Sequence, residues 1–131
     1  MNCSIRSLYL CAKDMERAIR FYEEFFEQAA AVRDEIYSVF EIGGFRLGLF
    51  AYEKMGETHL YGSNCLPSVE VESLAVLRRK LEDLPIVFPI TQIGPNWVAE
   101  FADSEGNHIE LTAPVHPVDS KPEEVNDPNA V

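Results

Sequence analysis

FADSEGNHIELT, Phe101 to Thr112, is the stretch on which the reading of this chain turns. A turn at Gly106 opens a run in which polar and apolar residues alternate, the pattern of a strand with one face in a core and one in solvent. The first half of the chain carries the same design. Gly44, Phe45, Arg46, Leu47, Gly48 and Leu49 match Gly106, Asn107, His108, Ile109, Glu110 and Leu111 at an offset of 62 residues. Upstream, Met15, Ala18, Tyr22 and Phe25 match Leu74, Leu77, Leu81 and Leu84 at an offset of 59. A strand and a helix that both recur predict a duplicated structural unit.

The elements between these markers fall in a consistent order. Ile5 to Cys11 reads as a strand, and Asp14 stands where an N-cap belongs. Met15, Ala18, Ile19, Tyr22, Phe25 and Phe26 then follow at helical spacing, with the charged residues on the opposite side. Short strands are expected at residues 31–33, 36–42 and 45–51, the last two joined at Gly43-Gly44. The second half repeats the series: a strand from Asn64 to Val71, Ser73 as N-cap, a helix to Leu84, and strands at 87–93, 97–102 and 107–113. The predicted fold is α+β, two βαβββ units spanning residues 4–52 and 64–113 in a domain of residues 1–113. Residues 114–131, PVHPVDSKPEEVNDPNAV, are rich in proline and acids and read as a tail.

Composition narrows the function classes. The chain has 131 residues, 47% hydrophobic and 11% aromatic, enough for a core of one ordinary domain. Eleven basic and twenty-two acidic residues give a net charge of −11, whose field repels phosphate and disfavours nucleic acid or an anionic membrane as partner. A cationic or neutral small molecule suits that field better. Cys3, Cys11 and Cys65 form no CxxC pair, which fits thiols in a reducing compartment. The opening MNCSIRSLYL is not a signal run, and no stretch approaches the roughly 18 apolar residues of a membrane span, so a cytoplasmic location is expected.

The opening strand followed by KDMERAIRFYEEFFE, the βαβββ duplication and the DSEGNHIEL ending resemble the vicinal oxygen chelate superfamily, which includes glyoxalase I, bleomycin-resistance proteins and extradiol dioxygenases. The resemblance covers residues 4 to 113. It implies that each unit forms half of a curved sheet backed by a helix, and that two units, often from different subunits of a homodimer, enclose a cleft. It also implies metal seats on the first and last strands of each unit. Carried over by the repeat, these fall on Glu110 and Gly48 and, counted seven residues back from the helix caps, on Ser7 and Leu66. Only Glu110 is a metal ligand by type, and a catalytic zinc, nickel or iron needs about three imidazole, carboxylate or thiolate donors.

Strand alternation then gives the lining of the expected cleft: Ser7, Tyr9, Cys11, Arg46 and Phe50 from the first unit, Leu66, Ser68, Glu70, His108 and Glu110 from the second, with Trp97 as a further ligand contact. Arg46 and Glu110 are expected to converge on one pocket. Glu110 is the candidate if any residue is catalytic. The expectation is a homodimer that binds a small organic molecule, with no metal and no cofactor, sequestering rather than transforming it. The alternative is a metal-dependent lyase, isomerase or dioxygenase built on Glu110, and a third possibility is a partner-binding module.

Overall fold

A computed structural model describes residues 2–59 and 65–119. The described residues divide into two units. The first holds everything up to His59 together with the segment Asp103–Asn107, and the second holds the rest.

In the first unit, β1 (Ser7–Cys11) runs into α1 (Met15–Phe26), then β2 (Tyr37–Ile42), β3 (Phe45–Phe50) and a short 3-10 turn at Tyr52–Met55. Asp14 starts the helix by accepting the Arg17 N–H at 3.1 Å, and Glu27 ends it in the left-handed region with its N–H returned to the Glu23 carbonyl. Met15, Ala18, Ile19, Tyr22 and Phe25 are the buried stripe. Tyr22 and Phe26 lie with ring centroids 6.2 and 6.1 Å from that of Phe40, so the aromatic periodicity of the helix is spent on the sheet behind it. The sheet order is β1-β3-β2, with β1 parallel and β2 antiparallel to β3. Gly43 and Gly44 both have positive φ, which a two-residue hairpin of this twist requires.

The strand expected at residues 31–33 is instead a single bridge, Val32 to Val39. Asp34 explains the difference. Its carboxylate accepts the N–H groups of Ile36 at 2.9 Å and Tyr37 at 3.1 Å, which turns the chain before pairing can extend.

The second unit contains β4 (Ser68–Glu70), α2 (Leu74–Leu81), β5 (Ile86–Ile93), β6 (Asn96–Ala102) and β7 (His108–Pro114), in sheet order β4-β7-β6-β5. Here the βαβββ order is complete. Ser73 caps α2 through the Val76 N–H at 3.2 Å, the role Asp14 plays in the first unit. The helix stops at Leu81, three residues before the expected end, because Pro85 disfavours helical geometry at Leu84 and Asp83 takes a positive φ of 64°. Pro67 likewise has no N–H to pair, and β4 begins just after it; the Asn64 end of the expected strand lies outside the described residues. β5 tolerates Pro89 because it is the edge strand, and its pairing with β6 shifts register on either side of Phe88. The chain after Ala113 stays engaged for longer than its composition predicts. Pro114 closes β7, the Val115 N–H donates to the Pro95 carbonyl at 2.9 Å, and Asp119 accepts from Trp97 Nε1 at 3.2 Å. The remainder of the expected tail, residues 120–131, lies outside the described residues.

The DSEGN turn is bonded both within itself and to α1. Asp103, 5% exposed, accepts from Tyr22 Oη at 2.6 Å, from the N–H groups of Glu105 and Asn107 at 2.8 Å each, and from Asn107 Nδ2 at 3.0 Å. Glu105 reaches the start of α1, where one oxygen accepts the Lys13 and Asp14 N–H groups at 2.9 Å each and the other takes Arg17 Nε at 2.7 Å. A buried carboxylate at a helix N-terminus answers both the free amides and the positive end of the dipole. Burial alone would raise the Glu105 carboxyl, but the bonds from Arg17, the Asp14 amide and Ser104 outweigh it and hold the group below its ordinary value. Burial, and then the Asp103 charge, push the Tyr22 phenol well above its ordinary value.

Tyr22→Phe should therefore destabilise the protein by about 1–3 kcal/mol in urea unfolding, since it strands one lone pair of a buried carboxylate. Because Glu105 is depressed in the folded state, its contribution is complete above about pH 4.3, the unfolded value, and fades as pH falls through the folded one. The stability gap between wild type and Glu105→Gln should accordingly narrow on acidification. Because Tyr22 is raised, its contribution is intact below about pH 10 and lost as pH climbs beyond it. A pH-independent gap for Glu105→Gln would contradict the bonding described.

Candidate functional site

In both units the sheet face turned away from the helix carries the polar and aromatic residues, and register places them. On the first unit Glu41, Arg46 and Ser7 lie side by side across the sheet, then Val39, Gly48 and Tyr9, then Tyr37, Phe50 and Cys11. The alternate residues Ser38, Phe40, Leu47 and Leu49 are buried on the helix side.

Gly48 is the centre of this face, and the Tyr37 side chain lies over it. A Cβ built on Gly48 would overlap the Tyr37 hydroxyl and the ring carbon that bears it, with another ring carbon at 2.8 Å. Tyr37 thus fills the space that a side chain at position 48 would need. Around it, Tyr9 and Phe50 have centroids 5.3 Å apart, Tyr9 and Tyr37 6.3 Å, and Tyr37 and Phe50 6.5 Å, with planes inclined by 59–80°. His59 approaches Phe50 edge-on at 6.3 Å, and its Nε2 lies 3.1 Å from Glu57 Oε1, an acceptor. Arg46 is half exposed and pairs with Glu41 at 3.2 Å. The Cys11 thiol is pushed up by burial and then by the Glu57 charge, the opposite of what a nucleophile requires.

On the second unit Glu100, Glu110 and Ser68 lie side by side, followed by Val98, Thr112 and Glu70. Ser68 Oγ donates to Glu110 Oε1 at 2.7 Å. Two carboxylates directly opposite on neighbouring strands repel each other, so this face is primed for a hydrogen-bond donor or a positive group. His108 Nδ1 lies 2.9 Å from Glu100 Oε2, within ion-pair distance, yet it misses hydrogen-bond geometry and is a buried nitrogen without a bonded partner.

Register therefore brings Ser7, Tyr9, Cys11, Arg46 and Phe50 onto one face, and Ser68, Glu70, His108 and Glu110 onto the other. Trp97 does not join them. It pairs with Ala113 on the buried face, is 6% exposed, and gives its indole N–H to Asp119. Arg46 and Glu110 each have a partner in their own unit, Glu41 and Ser68. Tyr37 and Glu100 were missed by sequence reasoning. The face of each was accessible to it, because alternation puts Tyr37 on the face opposite buried Phe40 and Glu100 on the face opposite buried Phe101.

The metal seats implied by the fold fail on donor chemistry. The register partner of Gly48 is Tyr9 and that of Glu110 is Ser68, whereas the count from the caps points to Ser7 and Leu66. Neither choice supplies an imidazole or a second carboxylate. Among the described residues no group of three or more His, Cys, Asp or Glu side chains could hold a metal ion. Nor is any helix among them long and apolar enough to cross a membrane.

No family model and no curated protein matches this sequence. Solved structures do match in fold. A glyoxalase-related enzyme from Fulvimarina pelagi superimposes with a TM-score of 0.69 at 18% identity, over 87% of this chain and 93% of its own. A lactoylglutathione lyase from Agrobacterium tumefaciens gives 0.66 at 16%, over 86% and 94%. A glyoxalase/bleomycin resistance protein/dioxygenase family enzyme from Burkholderia phytofirmans gives 0.69 at 16%, over 83% and 97%. The chain has the vicinal oxygen chelate fold.

Gly48→Ala should cost about 1–3 kcal/mol through overpacking against Tyr37. In a Tyr37→Ala background the same change should cost much less, and urea unfolding of the four proteins of this cycle measures the coupling. Additive effects would mean that Tyr37 does not cover Gly48.

Proposed function

We propose that this chain binds a small organic molecule on the polar sheet faces, without a divalent metal and without chemical turnover, as a cytoplasmic homodimer. The observation that carries the reading is Tyr37 over Gly48. Of the positions where this fold can carry metal ligands, one is filled by a phenol, and only Glu110 offers a carboxylate. The faces themselves have the mixed lining of a small-molecule site: aromatic rings, a paired arginine, hydroxyls and two carboxylates. The fold is shared with proteins named as a lyase and as resistance or dioxygenase family members, but fold does not carry chemistry with it. The competing reading, a metal-dependent lyase, isomerase or dioxygenase, has Glu110 to build on and lacks the other donors.

The homodimer rests on β5. It is an edge strand, and Ile86, Val87, Phe88 and Ile93 on it are 39–53% exposed. An apolar edge of this kind is a surface that proteins cover, commonly with a second copy. Sedimentation equilibrium at micromolar concentration should give twice the chain mass, and a monomer would contradict the assignment.

The binding reading is tested with a compound found by a thermal-shift screen. Glu110→Gln and Arg46→Met should each weaken its binding about tenfold, equivalent to about 1.4 kcal/mol, while the unfolding midpoint of the free protein stays in place. Unchanged affinity together with lost stability would make both residues structural. Chelator-sensitive turnover of a hemithioacetal would favour the competing reading.

A further inference from the structure

Tyr9, Tyr37 and Phe50 form an open aromatic corner on the first unit. Their centroids make a triangle of 5.3, 6.3 and 6.5 Å, and no two rings are close to parallel. Tyr9 is 49% exposed, so one ring offers a face to solvent while the other two brace it. A large aromatic half out of water is poorly placed as mere core, and the Gly48 backbone beneath Tyr37 leaves room for no side chain but this one. The faces of aromatic rings carry the negative side of the ring quadrupole.

The charged side chains nearby include Glu57, Glu41 and Arg46, two acidic and one basic. The Glu57 carboxylate stands at the His59 edge of the corner, and its field reaches the thiol of Cys11, the register partner of Phe50. The guanidinium of Arg46 is occupied by Glu41. The chain as a whole carries a net charge of −11. Ring faces, a neighbouring carboxylate and an acidic field together select a weakly hydrated cation over a neutral or anionic group.

We infer that this corner is a subsite for an organic ammonium group, tertiary or quaternary, carried by the bound molecule, with the Tyr9 ring as its floor and Tyr37 and Phe50 as the walls that hold that ring in place. The inference rests on the proposed small-molecule binding and assigns it a ligand class. No covalent step is involved. Tyr37 acts in two ways: it occupies the seat over Gly48, and it supplies a ring where a metal-binding relative of this fold would need a carboxylate.

The probe is phenyltrimethylammonium, with tert-butylbenzene as its neutral isostere, titrated into the full chain and followed by aromatic carbon–proton NMR. The cation should perturb Tyr9, Tyr37 and Phe50 and bind about tenfold more tightly than the isostere. Tyr9→Ala should weaken the cation about tenfold, whereas Tyr9→Phe, which keeps the ring face, should stay within about twofold. Equal binding of the two probes, no cation binding, or shifts confined to other residues would overturn the ammonium subsite. If the cation fails while screened neutral compounds perturb Ser68 and Glu110, the subsite falls and the binding reading stands. If no compound of either kind perturbs either polar face, both fall.

Discussion

The hydrogen bond from Tyr22 to Asp103 is the contact on which the first unit depends. It joins the middle of α1 to a turn that follows it by 81 residues in sequence, and both groups are buried. Neither is acceptable alone. A buried carboxylate needs donors and a buried phenol needs an acceptor, and each supplies part of what the other requires. Glu105 extends the same logic to the start of the helix by taking the amides that Asp14 leaves free. The DSEGN motif is therefore a capping device for α1 as much as a turn between two strands.

That dependence shows where sequence reasoning reaches and where it stops. The duplication, the N-caps Asp14 and Ser73, both helices and the last strand of each unit were legible, because each rests on local periodicity and residue chemistry. Helix and strand ends were less so. Pro85 shortened α2 and Asp34 turned the segment before β2, both through local bonds that a periodicity count does not weigh. The engagement of Glu105 with Lys13, Asp14 and Arg17 was not legible at all, since nothing in the spacing says which helix a carboxylate 88 residues beyond Arg17 will cap. Register places Ser7, Tyr9, Cys11, Arg46 and Phe50 on one face of the first unit's sheet, and Ser68, Glu70, His108 and Glu110 on one face of the second unit's sheet. The side on which Trp97 lies was not legible, because a lone tryptophan in a half-buried strand gives no sign of it until the neighbouring strand is counted.

The two units differ at their matched central positions. At matched central positions the second has Glu110 flanked by Glu100 and Ser68, and the first has Gly48 flanked by Val39 and Tyr9. One unit keeps a polar, charged centre and the other is aromatic. Glycine at position 48 is a steric necessity of that choice, because any side chain there would displace Tyr37.

The most direct measurement is isothermal titration of nickel or zinc into chelator-stripped protein. With a single carboxylate seat and a phenol over the matching glycine, the account predicts only weak, non-stoichiometric uptake in the millimolar range, unaltered by Glu110→Gln. One equivalent bound at micromolar affinity or tighter, and lost in Glu110→Gln, would contradict it.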